Sequence, residues 1–305
     1  MGTTRAGTHV SVMVEEFLQS VRPAPGEVVV DCTLGGGGHA RAVLERLNPG
    51  GRLVGLDVDP LELPRTEATL RAAGFGADVL TVHRGNFADL PRVLAAEGLT
   101  SVDIVFADLG VSSMQLDDPA RGFGYKSVAT LDMRMDPTRG ESASALIGRL
   151  SETRLATLLE ENADEPHAAI IARLLKHQPL ETTHRTERVV RVGLTAARPE
   201  LPKAEIKDSV RRTFQALRMA VNDELSALEA WLRAVPHCLT PGGRVAVITF
   251  HAGEDRRVEH AFQTGFRAGL FADVAGAAIR PSRAEIRANR RSSSARLRWA
   301  VRAAA

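Results

Sequence analysis

Aromatic side chains are scarce in this chain, with ten Phe, two Trp and one Tyr in 305 residues. That excludes a base-stacking platform built from many rings. Cysteine is scarcer still. Cys32 and Cys238 alone give neither a disulfide framework nor the spacing of a zinc site. The nine histidines show no paired metal-ligand spacing, so no metal ion is expected. No apolar run approaches the roughly 18 residues of a membrane span, so no membrane partner is expected either. The first residues, Met1 to Ala6, hold no apolar signal core. They also lack the Ser or Thr at position 6 that myristoylation uses. The expected location is the cytoplasm. Internal repeats are absent. An excess of one charge is also missing, because 39 Lys and Arg stand against 37 Asp and Glu. Such a balance argues against a protein that grips nucleic acid by charge alone.

What is present is the make-up of a soluble globular protein, 44% hydrophobic and 25% charged. The length suffices for one large core, or a core plus a smaller module. Charge is unevenly spread. Between Gly276 and Ala305 there are eight arginines and one acid, Glu285. Such a stretch is either a solvated basic tail or an edge that contacts nucleic-acid phosphates.

The most informative segment is Glu27-Val-Val-Val-Asp-Cys-Thr-Leu-Gly-Gly-Gly-Gly-His39, followed by Arg52-Leu-Val-Gly-Leu-Asp57. It reads as strand, tight glycine turn, helix, strand and acid. Glycine lets the backbone turn sharply and approach a ligand. An acid about 20 residues further on, at a second strand end, suits two ribose hydroxyls. The segment therefore predicts an adenosine cofactor. Gly35 to Ala40 also satisfies the dinucleotide pattern, with Ala in the third glycine's place. Asp31 argues against that reading, because a carboxylate there repels a pyrophosphate. It suits the ammonium and sulfonium of S-adenosylmethionine (SAM), which has no phosphate for a helix N-terminus to hold.

Short apolar runs at Val28–Val30, Leu53–Leu56, Val79–Val82 and Val102–Ala107 alternate with helix-like stretches at His39–Leu47, Pro60–Ala73 and Asp89–Glu97. This alternation predicts an α/β fold, a parallel sheet with helices on both faces. Continuous apolar runs fit strands buried on both sides. The pattern stops near Asp117. Up to Ile206 the chain reads as short helices at Glu141–Gly148, Ser151–Glu161, Pro166–His177 and Thr186–Ala197, punctuated by prolines. One long apolar stripe, Val210 to Val235, then reads as a single helix. Pro241-Gly-Gly turns from it into a fifth strand, Arg244–Phe250. A hairpin of Leu270–Val274 and Ala295–Val301 ends the chain. The expected organisation is a core in two parts, residues 1–116 and 207–305, with a helical insertion at 117–206.

Ligands of such sheets bind beyond the carboxyl ends of the strands. Gly37, Gly38, Asp57 and Asp108 converge there. Asp108 is followed by Leu109-Gly-Val-Ser-Ser-Met-Gln115, an acid plus a small-residue turn suited to holding an amine. A ring amino group is a poor nucleophile, because its lone pair is delocalised. Acceptors can hold its hydrogens and aim that lone pair at a methyl group, so orientation supplies much of the rate. Asp108 is the candidate catalytic residue, with contact to the cofactor an equal alternative. His39, beside the glycines, is expected to touch the ligand. His9 and His251 line the cleft or serve the structure. Phe87 stands where adenine would sit, or packs in the core. Methylating carbon 5 of a pyrimidine needs a cysteine nucleophile on a loop, and both cysteines read as core residues.

Longer motifs carry a resemblance. They are Asp31-x-Thr-x-Gly-x-Gly-Gly-His39, Asp108-Leu-Gly-Val-Ser-Ser, Gln115-Leu-Asp-Asp, Arg121-Gly-Phe, Leu131 to Gly140, Arg212 to Arg218, Val221-Asn-x-Glu-Leu225 and Phe250-His251. In this order they resemble the bacterial MraW/RsmH family of small-subunit rRNA N4-cytosine methyltransferases, from His9 to Arg298. The resemblance implies a Rossmann-like class I SAM-dependent methyltransferase sheet with an inserted all-helical domain for substrate recognition. It implies methylation of the exocyclic amine of a decoding-region cytidine. Gly37, Gly38, His39, Asp57, Phe87, Asp108 and Gln115 would contact SAM. The implied partner is small-subunit rRNA within the small ribosomal subunit. Oligomeric state stays open, a homodimer included. Four places depart from the family: Pro166-His167, Asp208 to Arg211, Ser293, and Tyr125-Lys126. They motivate two alternatives, a methyltransferase with a changed RNA target and a non-catalytic SAM- and RNA-binding assembly factor. An oxidoreductase is disfavoured by Asp31 and the Asp108 loop.

Overall fold

The computed structural model describes residues 11–304, so His9 lies outside it. The chain divides into two compact units. One holds the chain up to Gly110 together with Ala227–Ala305, the other Val111–Ser226.

The first unit begins with α1 (Val14–Val21), β1 (Val28–Asp31), α2 (Gly38–Leu47), β2 (Arg52–Asp57), α3 (Leu63–Ala72), β3 (Leu80–Arg84), α4 (Leu90–Ala96) and β4 (Val102–Asp108). Its strands form one sheet with those of the C-terminal part, β5 (Leu239–Thr249), β6 (Phe271–Val274) and β7 (Arg296–Arg302). The order is β3-β2-β1-β4-β5-β7-β6. β1 to β5 run parallel and β7 runs antiparallel to β5 and β6. This is the Rossmann-like sheet of class I SAM-dependent methyltransferases, as the sequence led us to expect.

Alternate residues of each strand feed opposite layers. Val30, Val54, Val105 and Val247 join one buried cluster with α4 and with Trp231 and Leu232 of the helix that leads into β5. Val29, Leu53, Ile104, Phe106 and Ala246 join the other, with α1 and α2. Burial on both faces is why the strands read as unbroken apolar runs. β5 begins earlier than its sequence suggests. Its pairing with β4 jumps from Leu239 to Arg244, so Pro241–Gly243 bulges out, with Gly242 at φ 78°.

The second unit is helical: α5 (Ser113–Asp117), α6 (Ala143–Arg149), α7 (Glu152–Ala163), α8 (Ala168–Lys176), α9 (Thr183–Ala197) and α10 (Lys203–Val221). Ser142, Ser151 and Thr182 cap α6, α7 and α9 by accepting backbone N–H groups, which satisfies donors left over in each first turn. Leu131, Leu155, Leu159, Ile171, Val190 and Leu194 make its core.

One expectation needs correction. The stripe from Val210 to Val235 is not one helix. It breaks after α10 at Asn222 and Asp223, where Asp223 takes φ 50°, and resumes as α11 (Glu224–Cys238). By contacts, the helical unit runs over Val111–Ser226. Ile206, Val210, Phe214 and Leu217 of α10 complete its core, whereas Leu228, Trp231, Leu232 and Val235 of α11 pack on the sheet. Continuous 3.6-residue periodicity hid a change of partner. The chain after α11 also holds α12 (Ala252–Arg267) and α13 (Arg283–Ala288).

The family-like motifs of the helical unit build structure. Asn222 accepts from Met135 N at 2.7 Å and donates to Met133 O at 2.8 Å. The Arg121 guanidinium donates to Met135 O at 2.7 Å. These bonds pin the loop from Leu131 to Gly140. Glu165, fully buried, accepts from Ser209 Oγ at 3.0 Å and from Arg212 Nε at 2.7 Å. The departures Pro166-His167 and Asp208 to Arg211 lie on either side of this buried carboxylate.

Candidate active site

Three carboxylates end three adjacent parallel strands: Asp31 on β1, Asp57 on β2 and Asp108 on β4. Thr33 ties the first to the third. Its backbone N donates to Asp31 Oδ1 at 3.1 Å, and its Oγ1 accepts from Asp108 N at 2.6 Å. The Asp-x-Thr spacing thus fixes the turn that leaves β1. Asp57 Oδ2 accepts from Gly35 N at 2.7 Å and Oδ1 from Asp59 N at 2.9 Å. The glycine turn is therefore held against the second strand end.

Gly37 caps α2 in the left-handed region, at φ 77°. A Cβ on Gly37 would stand 2.8 Å from Thr66 Cγ2, and one on Gly38 would collide with the Ser11 side chain. Thr66 Oγ1 in turn donates to Gly35 O. The turn is packed so closely that only glycine serves at both positions. Gly37→Ala is expected to cost on the order of 1–2 kcal/mol for the positive φ, plus the clash with Thr66. A lower Tm in a thermal melt, with weaker SAM binding in calorimetry, is the result to look for. An unchanged melt would show the turn to be slack.

Burial sets the electrostatics. The Asp31 carboxyl is pushed up to about 7, chiefly by desolvation, with the Thr33 hydrogen bond opposing and Asp57 adding to the rise. Desolvation also raises Asp57, against its backbone hydrogen bonds. Asp108 is held well above the usual carboxylate range by desolvation, then by the charges of Asp31 and Glu254. Its Oδ1 is buried and accepts no hydrogen bond among the described residues. Among the described residues none of the three acids pairs with Lys or Arg; their one basic neighbour is His39, 3.8 Å from Asp108.

His39 is buried, edge-on to Phe17 and tilted against Phe106. Its Nε2 lies 2.9 Å from Val12 O. A carbonyl only accepts, so Nε2 carries the proton. Burial lowers the imidazole to about 4, leaving it neutral at pH 7. Nδ1 then offers a lone pair towards Asp108 Oδ2.

Phe87 lies in a short turn after β3, partly buried, with its ring 6.3 Å from that of Trp231 and perpendicular to it. It packs against the core. Gln115 belongs to the helical unit, where its Oε1 accepts from Ser112 N at 2.9 Å and Ser112 Oγ accepts from Gln115 N at 3.1 Å. This capping box starts α5. The structure thus brings Gly37, Gly38, His39, Asp57 and Asp108 to one strand-end region, with Phe87 after the neighbouring β3. Gln115 stands in the other unit.

His251 caps α12, its Nδ1 accepting from Glu254 N at 3.3 Å. Glu254, which sequence reasoning passed over, accepts from Phe250 N at 2.9 Å and places a buried carboxylate near enough to raise Asp108. Its signal was the spacing of a helix cap and a Glu three residues later. Trp231 Nε1 donates to Cys32 Sγ at 3.4 Å, and burial raises both thiols. Neither cysteine is an available nucleophile. Among the described residues no group of His, Cys, Asp and Glu could hold a metal ion. No helix among them is long and apolar enough to cross a membrane. A separate cavity of about 450 Å³ opens in the helical unit, lined by Arg173, His177, Arg185, Arg188 and Val192 among others. It contains none of the expected contact residues.

The donor set fits SAM. Carboxylates without cationic side-chain partners suit a ligand that brings its own positive charge, and a pyrophosphate has no place among them. Residues 6–303 match the sequence profile of the MraW methylase family. The chain belongs to that family. SAM is accordingly its methyl donor. The chain is 43% identical, over 99% of its length and 87% of the relative's, to "Ribosomal RNA small subunit methyltransferase H 2" of Alkaliphilus metalliredigens. It is 41% identical, over 99% of its length and 83% of the relative's, to "Ribosomal RNA small subunit methyltransferase H 1" of Lachnoclostridium phytofermentans. For "Ribosomal RNA small subunit methyltransferase H" of Symbiobacterium thermophilum the identity is 40%, over 96% of each chain. For a MraW-type chain, the strand-end acids are thus the place to seek both donor and acceptor.

Proposed function

We propose that this chain transfers a methyl group from SAM to the exocyclic N4 amine of a cytidine in the decoding region of small-subunit rRNA. Family membership and the relatives' names support methyl transfer to small-subunit rRNA. The observation that carries the finer reading is a pair of acceptors without a donor: buried Asp108 Oδ1 and His39 Nδ1, 3.8 Å from Asp108 Oδ2. With the positive charge of SAM favouring the ionised carboxylate, the two acceptors suit a group that presents two N–H bonds.

SAM, when bound, supplies an electrophilic methyl on a good leaving group. The glycine turn and Asp57 are the residues to hold its adenosine part, with Phe87 beside the ring. Asp31 is placed for its positive charge. Asp108 and His39 do the remaining work by holding the amine's hydrogens, so that the nitrogen lone pair faces the methyl. Asp108 is also placed to take one N4 proton as the nitrogen becomes cationic, since burial has raised its proton affinity. No cysteine thiolate is available for attack at pyrimidine carbon 6, which argues against methylation of carbon 5.

The test is mass spectrometry of rRNA fragments from assembled small subunits incubated with the protein and methyl-labelled SAM. Label on N4 of a single decoding-region cytidine is expected. Label on another base or at another position would overturn the assignment, as would absence of label with SAM tightly bound.

A further inference from the structure

We propose that the arginine-rich segment joining β6 to β7 is a docking edge for the phosphate backbone of the RNA, a placement that rests on the function proposed above. Topology puts this segment on the rim of the site. β7 runs antiparallel to β5, and its first residue, Arg296, pairs with Thr249, the last residue of β5. Whatever leads into β7 therefore lies at the carboxyl edge of the parallel strands. Asp31, Asp57 and Asp108 end their strands at that same edge.

Hydrogen bonds make a second connection. Glu285 of α13 accepts from Met13 N at 2.6 Å. The adjoining carbonyl, Val12 O, meets His39 Nε2 at 2.9 Å, and His39 Nδ1 stands 3.8 Å from Asp108 Oδ2. A short chain of contacts thus links α13 to the candidate catalytic group.

The eight arginines counted in the sequence fall into different groups. Arg296 and Arg298 both bind the Asp255 carboxylate, at 2.7 Å, and Arg302 donates to Leu270 O at 2.7 Å. They hold the sheet edge together. Arg280, Arg283, Arg287 and Arg290 are exposed and have no carboxylate partner among the described residues. Arg283 and Arg287, four residues apart, share one face of α13 and repel each other. The acids nearby do not neutralise them. Glu285 is occupied by Met13 N, and its carboxyl is raised first by burial and then by Glu16. Polar bonds keep the segment in shape: Ser282 caps α13 and Ser292 Oγ donates to Asn289 O at 2.7 Å.

Guanidinium groups bind phosphate oxygens in a fixed fork. The strand-end pocket is built differently. Among the described residues its three acids have no Lys or Arg partner, so it offers a phosphate nothing to bind and admits an uncharged base. The cationic rim beside an acidic pocket therefore sorts the two parts of a nucleotide, the backbone outside and the base inside. That arrangement favours a polyanion whose neutral rings reach inward, rather than an acidic protein.

The test uses the full chain with R283Q/R287Q/R290Q, and R283K/R287K/R290K as the charge-keeping control. Binding of small-subunit rRNA is measured at several salt concentrations, and KM on assembled small subunits is measured alongside. Each phosphate contact to a single strand contributes roughly 0.7 to the slope of log K against log salt. The Gln variant is expected to lose about two from that slope and to raise KM about tenfold or more. The Lys variant should keep the slope, and SAM affinity and Tm should match the wild type in both. An unchanged slope and KM in the Gln variant would overturn the proposal. So would a raised KM with an unchanged slope on naked rRNA, which would seat a ribosomal protein there. An arginine-dependent slope without N4 label in the mapping experiment leaves the docking edge standing and removes the cytidine assignment.

Discussion

Asp108→Ala is expected to lower kcat by on the order of 10²- to 10³-fold, the loss typical when one preorganised polar group is removed from a reacting centre. The group is rigid. β4 lies between β1 and β5 in the sheet, and Asp108 N is held by Thr33 Oγ1. Its Oδ1 is buried with no partner among the described residues, a costly state for a polar atom unless a ligand completes it. Asp108→Asn should be nearly as damaging. The new NH₂ would face the lone pair on His39 Nδ1, 3.8 Å away from the present Oδ2, and occupy the acceptor that the substrate amine needs. Single-turnover rates and SAM titration calorimetry, run together, separate the two roles that the sequence leaves open. A fall in rate with unchanged SAM affinity places Asp108 on the amine. Weakened SAM binding with a normal rate at saturation places it on the cofactor. If both stay at wild-type values, Asp108 has neither role.

The α/β half of the fold was legible because each strand is buried on both faces and so wrote an unbroken apolar run. Val28–Asp31 and Val102–Asp108 fall almost where the runs predict. The helical half was legible as helices, yet the break between α10 and α11 was not. The apolar stripe passes unbroken through Asn222 and Asp223, although the residues on either side serve different cores. Periodicity reports which face is buried, not what buries it. The signal for the break was the Asn-Asp pair, residue types that tolerate left-handed backbone. α12 carried its own notice in His251 and Glu254, a cap and its partner three residues on.

At the site, the strand-end acids were readable from spacing alone, since the end of a buried strand is the natural place for a charged group. Thr33 was quoted within a motif, but its bridge from Asp31 to Asp108 needs coordinates, because β1 and β4 are 75 residues apart at that contact. His39 illustrates a second limit. Its position beside the glycines predicts ligand contact. Its packing against Phe17 and Phe106 and its bond to Val12 O add a fixed tautomer, which no pattern reveals. The eight arginines of the tail looked alike in sequence. Pairing with Asp255 separates Arg296 and Arg298 from the exposed ones.

The free protein is expected to lose stability as pH rises through about 7, and Asp31 is the main reason. Its carboxyl is pushed up to about 7 in the folded state, from an ordinary value of 3.8. Below that ordinary value both states carry the proton and the full stability is present. Between the two values the unfolded chain has released its proton while the folded chain keeps it, so unfolding is progressively favoured. Above about 7 the loss is complete, on the order of 4 kcal/mol. Asp57 and Asp108 are raised as well and act in the same direction. Asp132 and Asp255 are lowered, Asp132 by Arg134 and Asp255 by Arg298 and Arg296, each against desolvation. Their contribution is lost only below the ordinary carboxylate value, so the stability maximum should fall near pH 4. Asp31→Asn keeps an acceptor for Thr33 N and removes the buried charge. It should flatten the decline and raise Tm at pH 8 by several degrees. The same change should harm function. A cation beside Asp31 favours its ionised form, so SAM binding should release a proton and tighten as pH rises through about 7. In Asp31→Asn that pH dependence should disappear, with SAM affinity at pH 8 lowered at least tenfold. Thermal melts and SAM titrations from pH 5 to 8 measure both halves. A flat wild-type profile in both would mean that Asp31 is already ionised in the free protein, with its charge compensated from elsewhere.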